Sequence, residues 1–301
     1  MQTIPAITGP ARMSEIIDRA FRLYRHYFRN LIILPLVTYI PLGLFQIMAV
    51  IVTGDATGST ERQLEEMINA IPSGGEDAAV AVAVVVGIVV GLIALVGSVT
   101  LTNATSIQAA HAVRGETLAV LPALRLGLSR FWGILGLGML FVLAFIPLFL
   151  VLGILAAVSP ALMGCGLILF VPFIIYIAGR MAATTGAFYA AGEGPLDSIR
   201  SSWRLTEGYV WRSLGFGLLI GVLSVVINSG IGAVVGAVFE LTMPPALGLS
   251  LSLATTTVIS ALWLPVGLLA NMLYYYDLRV RQDGYDLSLR IDELAEQAGE
   301  S

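Results

Sequence analysis

The chain has no lysine. Among its 301 residues there is one cysteine, there are two histidines, and charged residues make up only 12%. Each shortage excludes something. Cys165 stands alone in an apolar run, so no disulfide can close within the chain and no thiolate cluster can hold a metal. His26 and His111, the only imidazoles, are too few for a histidine-ligated centre. There is no nucleophile elbow, no HExxH, no P-loop and no GxGxxG set between a strand and a helix. No catalytic, cofactor-binding or metal residues are therefore expected, and neither is a cofactor or a nucleic-acid partner.

What is abundant is apolar. Hydrophobic residues reach 57% and the mean hydropathy is +0.89. A soluble domain carries about 25% charged residues, so the composition is that of an integral membrane protein. All 16 basic residues are arginine; codon usage in a GC-rich genome explains this more simply than selection for guanidinium chemistry. The first long apolar segment starts near Leu31, behind a polar and amphipathic stretch, so it reads as a retained span and not as a cleaved signal peptide.

Residues 14–31 organise the rest. Ser14 is a candidate N-cap, and Ile17, Ala20, Phe21, Tyr24, Tyr27, Phe28 and Leu31 form one apolar helical face. Arg19, Arg22, Arg25 and Arg29 occupy the remainder, with Glu15/Arg19 and Asp18/Arg22 as i,i+4 pairs. Such a helix lies in a membrane interface or packs on its own bundle. Ala20-Phe-Arg-Leu23 is echoed by Ala123-Leu-Arg-Leu126 and Ser202-Trp-Arg-Leu205, each followed by long apolar sequence. The expected fold is all-α: six transmembrane helices as three pseudo-repeats, each an amphipathic interfacial helix followed by two spans. The chain is one transmembrane domain, 1–301, with repeats over 14–112, 113–191 and 192–285 and a polar tail, 286–301.

The expected spans are 31–53, 78–110, 133–158, 161–184, 214–239 and 247–274, each long enough for a hydrocarbon core that about 20 residues cross. Pro35, Pro41, Pro147, Pro172 and Pro265 fall inside them and predict kinks. Gly87/Gly91, Gly217/Gly221 and Gly232/Gly236 set GxxxG spacings for close helix packing. The first loop, 54–77, is acidic except for Arg62. Thr60 and Gln63 could box a short helix there, and its acids match no EF-hand spacing. Ser159-Pro160 with 163–166, and Met243-Pro-Pro245, supply turns between paired spans. The second and third basic helices are expected to open at Pro122 and to run over 196–212. Fifteen of the arginines fall on one side of this topology and only Arg62 on the other. The positive-inside rule then places the fifteen, and both termini, in the cytoplasm.

The candidate contacts to anionic lipid headgroups are Arg19, Arg22, Arg25, Arg125, Arg180, Arg204, Arg279 and Arg281. Arg180 reads as a snorkelling anchor at a span end. Arg279 and Arg281 follow an aromatic belt, Tyr274-Tyr-Tyr276, with Asp277 pairing Arg281. Asn103, Asn228 and Asn271 are candidate intramembrane polar contacts to neighbouring helices.

Three stretches together resemble a bacterial family. They are Ile17-Asp-Arg-Ala-Phe-Arg-Leu-Tyr-Arg25, Ser202-Trp-Arg-Leu-Thr206 with Gly208, Trp211 and Arg212, and Tyr275-Tyr-Asp-Leu-Arg279 with Arg281. The family is that of glycerophosphoryl diester phosphodiesterase membrane domains. The resemblance implies the membrane part only: the soluble catalytic domain of fused members has no counterpart here, and phosphodiesterase activity does not carry over. The expected function is a non-enzymatic bacterial inner-membrane scaffold or accessory subunit whose basic cytoplasmic face engages anionic lipid and a membrane or cytoplasmic partner protein. The alternative is a small permease for a lipid-like or amphipathic solute. A membrane-embedded lipid enzyme would need a convergent polar cluster that the sequence does not display.

Overall fold

The computed structural model describes residues 9–53 and 77–284. Among them the chain is helical throughout, without strands. Short and long helices follow one another in a regular order. The short α1 (Met13–His26) leads into α2 (Phe28–Thr53) and α3 (Asp77–Val113); the short α4 (Val120–Ser129) leads into α5 (Phe131–Val158) and α6 (Pro160–Arg180). A turn and a π-helical segment, Ala187–Ala191, extend α6. The short α7 (Pro195–Leu205) then leads into α8 (Val210–Val225), which passes through a π-helical turn, Val226–Gly230, into α9 (Ile231–Thr242), followed by α10 (Pro245–Asp283).

Four stretches are long and apolar enough to cross a membrane: Phe131–Val158, Ala161–Ala191, Val210–Phe239 and Leu247–Asp283. They mark the chain as a membrane protein. Their surroundings differ. In the most apolar part of Phe131–Val158 no residue is buried, against 39% in Leu247–Asp283. α10 is therefore the central helix, packed on α1, α2, α3 and α9, while α5 and α6 form a hairpin with apolar side chains turned outward along its length.

The core lies at one end of the bundle. Ile16, Ala20 and Leu23 of α1 pack there with Ile107, Ala110 and Val113 of α3, Phe188 and Tyr189 of the π segment, Leu205 of α7, Phe216 of α8 and Leu269–Leu278 of α10. Stacked rings of Phe216 and Tyr274, 4.2 Å apart, join α8 to α10. At about 1.5 Å per residue, α3 and α10, at 37 and 39 residues, are about 55 and 58 Å long. That length provides the rods on which α1, α4 and α7 pack.

Small residues let the rods approach. A Cβ on Gly127 of α4 would lie 2.6 Å from the Thr100 carbonyl oxygen of α3, and one on Gly186 would lie 2.2 Å from Cβ of Tyr275. At Gly232 and Gly236 a Cβ would meet Thr256 and Ser252 of α10 at 2.6 and 2.8 Å, so this GxxxG pair does seat α9 on α10. Gly217 and Gly221 face open space and seat nothing.

Several expected boundaries move. α1 starts at Met13, so Ser14 is not its cap: Arg12 holds the N-cap position, and the Glu15 carboxylate accepts from the Arg12 amide at 3.0 Å. The basic helix also does not run on to Leu31, because it closes at Tyr27 and α2 begins anew at Phe28. Its buried face is Ile16, Ala20 and Leu23; Phe21 and Phe28 stay exposed, since tertiary packing chose the aliphatic side over the aromatic one. Asp18 and Arg22 form no ion pair among the described residues. Residues 163–166 are helical, with the turn confined to Ser159 ahead of Pro160. Pro122 lies inside α4, which opens at Val120. The third basic helix ends at Leu205, which gives Arg212 to the long helix α8, and α10 continues past Tyr274 to Asp283. The expected capping box at Thr60 and Gln63 and the acidic loop lie outside the described residues, as does the packing at Gly87/Gly91.

Candidate functional site

Near the end of α10, Tyr274-Tyr-Tyr276 and Leu278 flank one carboxylate in sequence. Asp277 is buried, and a lone buried carboxylate is costly unless paired and hydrogen-bonded. Its neighbours supply both. Arg212, one turn into α8, donates to Oδ2 from Nη2 at 2.8 Å and from Nε at 3.2 Å. Arg281, one turn further along α10, donates from Nε at 3.0 and 3.1 Å. The third partner is backbone: the Ala11 amide donates to Oδ1 at 2.8 Å. Both guanidinium groups also reach back to the Ala11 carbonyl, Arg212 at 2.6 Å and Arg281 at 2.9 Å. One carboxylate and two cations thus pin the segment before α1 to the ends of α8 and α10, with one positive charge in excess. Arg19 lines the same small recess.

The other arginines of the packed end mostly terminate helices. Arg130, between α4 and α5, donates to the carbonyls of Phe188 and Gly192 and lies over the Phe188 ring at 5.3 Å. Gly192 closes the π segment at φ 79°, where a side chain would be strained. Arg114 donates to the Ala190 carbonyl and to the Tyr276 hydroxyl. Carbonyls left over at helix ends are satisfied by cations, which also suit the negative end of the dipole. Arg180 does the same between helices: it donates to Tyr176 and to the Trp203 carbonyl, each at 3.0 Å, and sits between the two rings at 5.5 and 4.9 Å.

The eight arginines singled out from the sequence therefore fall into two groups. Arg180, Arg204, Arg279 and Arg281 are engaged within the protein; Arg204 pairs with Asp283 at 2.7 Å, and Arg279 reaches the same carboxylate at 3.8 Å and lies over Tyr275. Arg19 is half-buried against the core. Arg22, Arg25 and Arg125 are exposed, have no acidic partner among the described residues, and lie on α1 and α4 at the packed end. Arg29, at the start of α2, shares that state. Close by on α1, burial pushes the Tyr24 phenol up from its ordinary value of 10.0, and its hydroxyl finds no hydrogen-bond partner among the described residues.

The three asparagines are also placed apart. Asn103 bridges elements: Nδ2 donates to the Gly127 carbonyl of α4 at 3.3 Å, and Oδ1 accepts from the Tyr189 hydroxyl at 2.5 Å. Asn228, in the π-helical turn, accepts from Ser260 of α10 at 2.9 Å, beside the bond from Trp263 Nε1 to Ser224 at 2.7 Å. Asn271 donates within its own helix, to the Gly267 carbonyl at 2.9 Å. Arg130 and Arg114 are not singled out from the sequence, and Arg212 enters there only as a motif residue of the family resemblance. The physical signal for Arg212 is the need of a solitary acid in an aromatic belt for more than its i+4 neighbour.

Among the described residues no three of His, Cys, Asp or Glu gather to hold a metal ion. Comparison with protein-family models, with curated proteins and with solved structures finds no match for this chain. The resemblance to the phosphodiesterase membrane domains accordingly rests on its motif residues alone, of which Arg212, Asp277 and Arg281 meet at one node.

Proposed function

We propose that this chain is a non-enzymatic scaffold or accessory subunit of a bacterial inner membrane, holding anionic lipid and a partner protein at a basic cytoplasmic face. The observation that carries the reading is the division among the arginines. Where a guanidinium can serve the fold, it is bonded; Arg22, Arg25 and Arg125 are left facing outward from the packed end. Each such cation is worth roughly 1 kcal/mol near an anionic surface, so three together hold headgroups without a built pocket. The alternation of one short and two long helices, three times over, supports the repeats and adds α2 and α3 to the four apolar stretches, for six crossings with both termini in the cytoplasm. Trp132 and Trp211, 78% and 84% exposed at the starts of α5 and α8, fit the aromatic belt of that same boundary.

The test is lipid retention. Protein extracted gently into detergent and examined by native mass spectrometry should keep phosphatidylglycerol in preference to phosphatidylcholine. The triple variant R22Q/R25Q/R125Q should lose most of that preference while keeping its melting temperature. An unchanged preference in the folded variant refutes the reading.

A permease for an amphipathic solute is the second reading. Asn103 and Asn228 line separate open recesses of about 330 and 560 Å³, each a place where a polar group meets an otherwise largely apolar wall.

A further inference from the structure

α10 ends at Asp283, and Gly284 closes it at φ 61°, the left-handed conformation that turns a chain off a helix axis. Seventeen residues follow, outside the described ones, and their sequence is unlike the rest of the chain. Asp286, Asp292, Glu293, Glu296 and Glu300 stand against one arginine, Arg290. Leu287, Ile291, Leu294 and Ala298 recur at i, i+4, i+7 and i+11, a spacing that on a helix would gather the five acids on the opposite side.

This acidic segment leaves the fold beside its unmatched cations. Ile16 and Arg19 of α1 line one recess with Tyr276, Asp277 and Val280 of α10, and Arg281 donates to the Ala11 carbonyl. From Gly284 back to Val280, and from Arg19 out to Arg25, is about 15 Å of helix in all. Between Gly284 and Glu296 the chain covers about 18 Å as a helix and up to about 40 Å when extended, so its acids reach that far. Arg22 and Arg25 of α1 and Arg29 of α2 are exposed and have no acidic partner among the described residues. The arginines nearer the end of α10 are already matched: Arg204 and Arg279 share Asp283, and Arg212 and Arg281 share Asp277. Exposed ion pairs are weak one by one, but a short tether holds the acids at an effective concentration in the millimolar range.

We infer that the acidic segment 286–300 docks on Arg22, Arg25 and Arg29 and competes there with anionic lipid, so that the chain carries its own inhibitor of the basic face. The competition rests on the lipid reading proposed above; the docking rests on charge and reach alone. Two readouts on the full-length chain separate them. In a Cys165→Ser background, spin labels at His26→Cys and Gln297→Cys report the distance from α1 to the segment in phosphatidylcholine nanodiscs. The variant D286N/D292N/E293Q/E296Q/E300Q removes the charge of the segment, keeps its length and apolar residues, and alters no residue of the packed end, so it should fold.

The acidic chain is expected to give one narrow, short distance. It should broaden in the neutral variant and in about 1 M salt, where charges are screened beyond about 3 Å. By native mass spectrometry at low salt, the neutral variant should retain about fivefold more phosphatidylglycerol than the acidic chain, the scale of two or three exposed ion pairs. A broad distance that is the same in both proteins overturns the docking and leaves the acids to a separate partner. Equal lipid retention by both, with R22Q/R25Q/R125Q still losing its preference, overturns the competition. A narrow distance beside a triple variant that loses no preference upholds the docking and removes the lipid reading instead.

Discussion

Arg212 and Asp277 stand 65 positions apart in sequence and 2.8 Å apart in the fold. Their bond closes α8 onto the end of α10, and through Ala11 it holds the approach to α1 as well. Removing one partner of a buried pair leaves the other uncompensated, at a cost of about 3–5 kcal/mol for full burial; with each guanidinium about one-fifth exposed, the lower figure applies. Asp277→Asn should therefore lower the melting temperature in detergent strongly. Asp283→Asn, which breaks the pair with Arg204 and the longer one with Arg279 near the surface, should cost under about 1 kcal/mol. Equal effects in a thermal melt would mean that Asp277 is not the keystone of the packed end.

A glycine contact can be tested in the same assay. Gly186→Ala and Gly127→Ala place a methyl group into Tyr275 and into the Thr100 carbonyl, and should destabilise by about 1–3 kcal/mol as overpacking does. Gly217→Ala meets nothing within 4 Å and gains helix propensity, so its melting temperature should hold or rise. If the first two variants melt like wild type, α4 and the π segment do not pack as closely as described.

Tryptophan depth follows from the helix starts. In single-tryptophan proteins, Trp132 and Trp211 should be quenched best by lipids carrying a quencher near the headgroup. Trp263, bonded to Ser224 within the α8–α10 contact, should be quenched best by one carried deeper on the acyl chain. Deep quenching of Trp211 would place the start of α8 inside the hydrocarbon core and remove the proposed boundary.

Much of this fold is legible in the sequence because it depends on local patterns. Apolar length gives the long helices, and Pro160 and Pro195 mark the starts of α6 and α7 where the missing amide costs nothing. Helix-to-helix choice is not local. Over residues 14–31 a face with four aromatics outscores one with Ile16 and Leu23, yet Ile16, Ala20 and Leu23 are the α1 residues buried with α10 in the core. The break at Tyr27 carries no proline or glycine to announce it. For the site, the i,i+4 pair of Asp277 and Arg281 is readable from spacing, whereas Arg212 joins only once α8 has folded back along α10. Likewise an arginine that caps the Phe188 carbonyl and one that faces outward look alike in sequence; burial alone separates Arg130 from Arg125.

The lipid-binding reading requires the packed end to face the cytoplasm, and one labelling experiment decides that. Cys165 is the sole cysteine, so a Cys165→Ser background permits single reporters. Arg125→Cys would mark the packed end, and Ser159→Cys the turn between α5 and α6 at the other end of the hairpin. With a membrane-impermeant maleimide on intact cells, Ser159→Cys should react and Arg125→Cys should react only after the cells are opened. The reverse pattern would put the basic face outside the cell and contradict the proposed function at its root.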